Sequence, residues 1–163
     1  MNIFPSSGLL VLTLLALSWP RFASAGTWTT GRSMEVDRCA SAWLIKTHID
    51  PQATFQLIED NALVTTGTAF DLPVAELRRD QRRSTYDALV HAYALKNAKV
   101  LALGLLVHDI EINFAGATLP EAKRLENELR HILHLHSEPQ GALQACMDFL
   151  DTYSPPAEKG AIP

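Results

Sequence analysis

The stretch Ala98-Lys-Val-Leu-Ala-Leu-Gly-Leu-Leu-Val-His-Asp-Ile-Glu-Ile112 is apolar on nearly every side of a helical wheel until it ends in His108, Asp109 and Glu111. A helix that is hydrophobic all round has to be enclosed by other elements, so this segment is expected to be the central helix of the fold. Gly104 in its middle leaves room for a close neighbour. The polar group at its end then needs a reason to be there.

Working outward, Ser84 opens a helix on the upstream side. Asp87 stands three residues on in a capping-box arrangement, and Tyr86, Leu89, Val90 and Tyr93 form the stripe expected to be buried. Downstream, Pro120 sits in the first turn of a helix whose apolar face is Leu119, Ala122, Leu125, Leu129, Ile132 and Leu133. A last helix, about Gln140 to Tyr153, buries Leu143, Cys146, Met147 and Leu150.

At the front, Ser33 is placed to cap a helix in which Val36, Cys39, Ala40, Trp43 and Leu44 recur at three- and four-residue spacing, and Asp50-Pro51 stops it. Gly26 to Arg32 reads as a linker. Thr54-Phe-Gln-Leu-Ile58 and Thr68-Ala-Phe-Asp-Leu72 are rich in strand formers and suggest a small hairpin or two-stranded patch. The expectation is a mostly helical α+β domain, with about five helices and a small two-stranded β element.

A chain of 163 residues, 47% hydrophobic and 20% charged, is sized for one globular domain. Its first 25 residues stand apart: the apolar run Gly8-Leu-Leu-Val-Leu-Thr-Leu-Leu-Ala-Leu17 leads to Ala23-Ser-Ala25, the small-residue pattern a signal peptidase accepts. Met1 to Ser7 lacks Lys and Arg, but the apolar run falls short of the roughly 20 residues that cross a bilayer, so cleavage is favoured over an anchor. The layout is a signal peptide over residues 1–25, a domain over 26–153 and a flexible tail over 154–163. The product is expected to be exported, periplasmic or secreted, with no stable membrane span after cleavage.

The net charge of −4 becomes more negative once Arg21 is removed, and the chain lacks a basic block, which excludes nucleic acid as a partner. Cys39 and Cys146 are the only cysteines; one disulfide in an oxidising compartment and two buried thiols fit their positions equally.

His108 and Glu111 share a helix face, with Asp109 about 100° aside. Imidazole and carboxylate together suit a divalent transition metal such as Zn, Fe or Mn. Asp37, Asp71, Asp87 and Glu121 are the candidates to complete such a site. The simpler reading is a His favoured by the helix C-terminus beside solvated acids. His131, His134 and His136 read as exposed histidines rather than a ligand set. Arg78, Arg79, Arg82 and Arg83 have the geometry to fork onto an oxyanion, yet Asp80 among them makes a solvated face the better reading. The chain has no GxSxG, P-loop, dinucleotide fingerprint or CxxC.

Val36-Asp-Arg-Cys-Ala-Ser-Ala-Trp-Leu-Ile-Lys-Thr-His-Ile-Asp-Pro-Gln-Ala53 resembles the opening of the C-terminal domain of the chromate resistance protein ChrB. The likeness continues in order through Phe70-Asp71, Ser84-Thr-Tyr-Asp-Ala-Leu-Val90, Val107-His-Asp-Ile-Glu111 and Pro120-Glu-Ala122, covering Trp28 to Tyr153. It departs where that family carries a His, glycines and a Cys, for here stand Arg79, Asp80, Gln81 and Ser84.

The resemblance implies a role in chromate or metal-stress resistance, in a family also described as exported. It further implies a shared polar pocket. His108 and Glu111 would be metal ligands there, Asp37, Asp71 or Glu121 would complete or orient them, and Arg38, Asp87 and Asp109 would line the pocket. Its partner would be a metal ion or a small oxyanion such as chromate. A metal-dependent enzyme with an open coordination position is the alternative, and a remnant with a decayed site is a third reading.

Overall fold

The computed structural model describes residues 26–155. The expected signal peptide and the tail beyond residue 155 lie outside the described residues. Strand β1 (Thr27–Gly31) leads into helix α1 (Val36–Leu44), which runs on through a π-helical turn over Ile45–Ile49. Strands β2 (Thr54–Ile58) and β3 (Thr68–Ala69) follow, then helices α2 (Thr85–Ala92), α3 (Ala98–Ile112), α4 (Pro120–Leu135) and α5 (Pro139–Thr152). The five expected helices are present.

The β element differs from the expected two-stranded patch. The segment read as a linker is the central strand of a three-stranded parallel sheet ordered β2-β1-β3. Thr27 pairs with Thr54 and Gly31 with Ile58 on one side, and Trp28 pairs with Thr68 on the other. Strands β2 and β3 therefore never meet as a hairpin. Thr-Trp-Thr-Thr-Gly shows no alternating hydrophobicity, because a strand covered on both faces buries Thr29 and Thr30 as well as Trp28. Thr29 is satisfied there by donating its hydroxyl to the carbonyl of Thr66 at 2.7 Å.

Helix α1 is buried along its whole length, Asp37, Arg38 and Ser41 included. Its N-cap is Glu35, which makes no side-chain cap bond, rather than the expected Ser33. Ser33 is engaged elsewhere, donating its hydroxyl to Asp60. At the other end Asp50 stops the helix and braces the sheet, accepting from the Gly26 N–H at 3.0 Å and the Trp28 indole at 3.1 Å.

The capping box of α2 forms as read, with Ser84 and Asp87 satisfying each other's backbone N–H groups. Serine at position 84 thus serves the backbone. Tyr86 and Leu89 are buried, whereas Tyr93, expected in the same stripe, follows the helix end and is 43% exposed. Central helix α3 packs its Gly104 against the Tyr86 ring: a Cβ there would stand 3.3 Å from a ring carbon. Leu101 and Leu105 on its outer side remain exposed.

Cys39 and Cys146 are free, buried thiols where α1 packs against α5. Contact with Cys146, together with burial, pushes the Cys39 thiol up. None of the described helices is long and apolar enough to cross a membrane.

Candidate functional site

Ligands in open parallel sheets bind beyond the carboxyl ends of the strands, and the polar side chains of this fold gather at that edge. Ser33 and Glu35 follow β1, Asp60 follows β2, and Asp71 follows β3. With Arg38 from α1 and with Arg78 and Arg79 from the loop after β3, they line a cavity of about 520 Å³.

Arg38 lines its inner side, with four of its five N–H donors engaged. Its Nε donates to Asp71 Oδ2 at 2.8 Å, its Nη2 to the Asp71 carbonyl at 2.7 Å, and its Nη1 to Asp60 Oδ1 at 2.9 Å and to the Ser33 carbonyl. Held at both carboxylate and carbonyl, Asp71 keeps a left-handed backbone with φ of 48°, a conformation that L-residues adopt only when surroundings impose it. A buried guanidinium needs such partners, since an unpaired buried charge is strongly destabilising. Burial raises the Asp60 carboxyl, but the hydrogen bonds from Ser33 and Arg38 outweigh it and the net shift is downward.

Asp37 lies deeper and is aimed at the start of α2. It accepts the N–H of Thr85 at 2.6 Å, the N–H of Tyr86 at 2.9 Å and the Ser41 hydroxyl at 3.3 Å. Burial, and then the charge of Asp71, push its carboxyl up to about 7 against the pull of those two N–H groups. Thr85 joins the two acids by donating its hydroxyl to Asp71 at 2.7 Å. Asp71 is also raised by burial, with Arg38 and Thr85 opposing.

At the mouth, Arg79 donates from Nη1 to Glu111 Oε2 at 2.9 Å, with Glu35 at 3.7 Å from the same nitrogen. Burial raises the Glu111 carboxyl, Arg79 lowers it, and Glu35 and Asp71 add to the rise. The Arg79 side chain is 52% exposed.

Of the residues singled out in the sequence, Asp37, Arg38, Asp71 and Glu111 come together here. His108 turns instead to Asp87, Nδ1 to Oδ2 at 2.7 Å, and that carboxylate is already held by the Ser84 N–H at 3.1 Å. Asp109 is a buried brace. It accepts from the N–H of Thr118 at 2.7 Å, the N–H of Leu119 at 2.8 Å, the Thr118 hydroxyl at 2.7 Å and the Asn113 amide at 2.6 Å, fixing the chain that leads into α4. Burial would raise its carboxyl, but these bonds outweigh burial and lower it. Glu121 pairs with Arg124 at 2.9 Å beside Phe149 and Tyr153, lining a separate hollow.

Sequence reasoning passes over Glu35 and Asp60, which carry no motif, and discounts Arg78 and Arg79. Within that arginine run the structure makes a division. Arg83 pairs with Asp80 at 3.0 Å away from the cavity, as a solvated face would, while Arg78 and Arg79 line it. The oxygens of Asp37 and Asp71 and one oxygen of Glu111 are engaged, and among the described residues no three or more His, Cys, Asp and Glu side chains are grouped to hold a metal ion.

The family model described as "ChrB, C-terminal domain" matches residues 28–154, from β1 through the end of α5. The chain belongs to the ChrB C-terminal domain family. Over 101 residues it is 34% identical to Protein ChrB of Cupriavidus metallidurans, a match covering 61% of this chain and 31% of that protein. It therefore spans less than a third of its ChrB relative. No solved structure matches the chain.

Proposed function

We propose that this exported ChrB-type domain serves chromate resistance by binding a small oxyanion such as chromate in the cavity at the carboxyl edge of the sheet. The observation that carries the reading is the pair of adjacent arginines with hydrogen-bonding capacity to spare. Arg79 commits only Nη1, to Glu111, and Arg78 only Nη1, to the Ala75 carbonyl, among the described residues. Planar guanidinium forks are suited to oxyanions, and each carries a fixed positive charge. Arg38 beneath them has four of its five N–H donors committed and mainly supplies position.

Calorimetric titration of chromate into the purified protein tests this. Saturable binding is expected, with Arg79→Gln weakening it by about tenfold or more, the worth of one hydrogen bond to a charged group. An absence of saturable binding, or affinity indifferent to both Arg78→Gln and Arg79→Gln, refutes it.

A metal ion is the second reading, favoured by the raised carboxyls of Asp37, Asp71 and Glu111. Their charge exceeds what Arg38 and Arg79 neutralise, and a divalent Zn, Fe or Mn ion would relieve it. It requires Asp71 and Glu111 to exchange their arginine partners for the metal. Elemental analysis decides: near-stoichiometric metal that disappears in Glu111→Gln supports it, and a metal-free protein that binds chromate rules it out.

A further inference from the structure

Building on the oxyanion reading, we propose that Glu35 makes the cavity selective for tetrahedral oxyanions that still carry a proton, such as hydrogen chromate or hydrogen phosphate, and against sulfate. Two kinds of uncommitted group face the cavity. Arg78 and Arg79 offer donors. Glu35 is the lining carboxylate that accepts no hydrogen bond among the described residues, since Asp60 is taken by Arg38 and Ser33, and Asp71 by Arg38 and Thr85.

The position of Glu35 follows from the way α1 starts. As N-cap residue it contributes its carbonyl to the Cys39 N–H at 3.0 Å, but its side chain makes no cap bond and stays 53% exposed. The carboxylate stands 3.7 Å from Arg79 Nη1, the nitrogen that Glu111 holds at 2.9 Å. An anion drawn to the free edge of Arg79 therefore meets a carboxylate next to its binding partner.

A carboxylate only accepts hydrogen bonds. Toward an oxyanion bearing an O–H it forms a short, charge-assisted bond; toward sulfate it sets acceptor against acceptor and like charge against like charge. Sites that leave a polar group unpaired by the wrong ligand discriminate far better than sites that rely on fit. Tetrahedral oxyanions of similar size are poorly told apart by shape, and a cavity of about 520 Å³ is roomy for any of them. Asp71 and Glu111, behind Arg38 and Arg79, add to the resistance against a fully deprotonated dianion.

The test is competition on the purified full chain. Inorganic phosphate, which retains a proton near neutral pH, and sulfate, which retains none, each displace bound chromate. Sulfate is expected to compete at least about tenfold more weakly than phosphate, a figure reduced by the solvent exposure of Glu35. Glu35→Gln presents an amide that donates, and should bring sulfate to within about threefold of phosphate with the melting temperature unchanged. A merely structural role would weaken both anions alike. Equal competition by the two anions in the parent protein, or an unchanged ratio in Glu35→Gln, overturns the role of Glu35 and leaves the oxyanion site standing. Binding of none of the three anions overturns both.

Discussion

Replacing Asp37 by asparagine should change the stability of this domain in a way that reverses sign with pH. The folded protein holds the Asp37 carboxyl at about 7, against an ordinary value of 3.8, chiefly because the group is buried and secondly because Asp71 lies near. Every tenfold change in proton affinity is worth about 1.36 kcal/mol, so the difference amounts to roughly 4 kcal/mol. Below the ordinary value the carboxyl is protonated in both folded and unfolded chains and nothing is lost. As pH rises toward about 7 the unfolded chain ionises while the folded one retains its proton, and this group lowers stability progressively, with no further change above that range.

Asparagine does not ionise, but it offers one acceptor oxygen where aspartate offers two. It therefore forfeits the N–H of Thr85 or of Tyr86 at every pH, a loss of about 1–2 kcal/mol. Asp37→Asn is accordingly less stable than the parent near pH 4, overtakes it as pH passes about 5, and is more stable by about 2–3 kcal/mol at pH 8. Urea unfolding of parent and variant across this range supplies the measurement, and their difference cancels groups that titrate alike in both. A difference that stays constant with pH refutes the reasoning.

Gly31→Ala should damage fold and site together, because the new Cβ would fall on Asp60 Oδ1 and 2.6 Å from Arg38 Nη1. A loss of about 1–3 kcal/mol in thermal unfolding, with weaker chromate binding, is expected. The acids that the sequence grouped together should behave differently from one another. Asp109→Ala strips the N–H groups of Thr118 and Leu119 of their acceptor and should lower stability by about 2–4 kcal/mol while leaving chromate affinity intact. Glu121→Ala removes an exposed pair with Arg124 and should stay within about 0.5 kcal/mol of the parent by the same melts.

The legible parts of this molecule are those governed by neighbours along the chain. The Ser84 and Asp87 box, Pro120 at the start of α4 and the packing of α3 among its neighbours follow from spacing over one or two turns, although Leu101 and Leu105 leave one side of α3 exposed. The parallel sheet is hidden because its central strand is mostly threonine, and because its partners lie beyond a helix on one side and a long loop on the other. The site divides in the same manner. Asp37, Asp71 and Glu111 lie within electrostatic reach of one another while His108 turns to Asp87, because a helical wheel reports direction and not partner. The resemblance counts Asp109 among the pocket residues, although four hydrogen bonds from the α3–α4 connection occupy it. Arg79 escapes notice because charge density along the chain signals solvation, whereas its partner Glu111 is 32 residues away.

The grip of Asp50 on Gly26 would bear on maturation if the leader expected from the sequence is removed before that glycine. The Gly26 N–H lies 3.0 Å from Asp50 Oδ2, and a Cβ at position 26 would stand 2.9 Å from the same oxygen, which suits glycine there. Burial works against the Asp50 charge, but the bonds from Gly26, Trp28 and Gln52 outweigh it and hold the carboxyl below its usual range. Ala23-Ser-Ala25 ends immediately before this glycine. A cut at that junction replaces a peptide N–H by an α-ammonium and turns a hydrogen bond into an ion pair, an interaction roughly twice as strong. Only the processed chain would possess it. Leader removal would then do more than release the protein: it would lock the residue that leads into the central strand, and maturation and the closing of the sheet would reinforce one another.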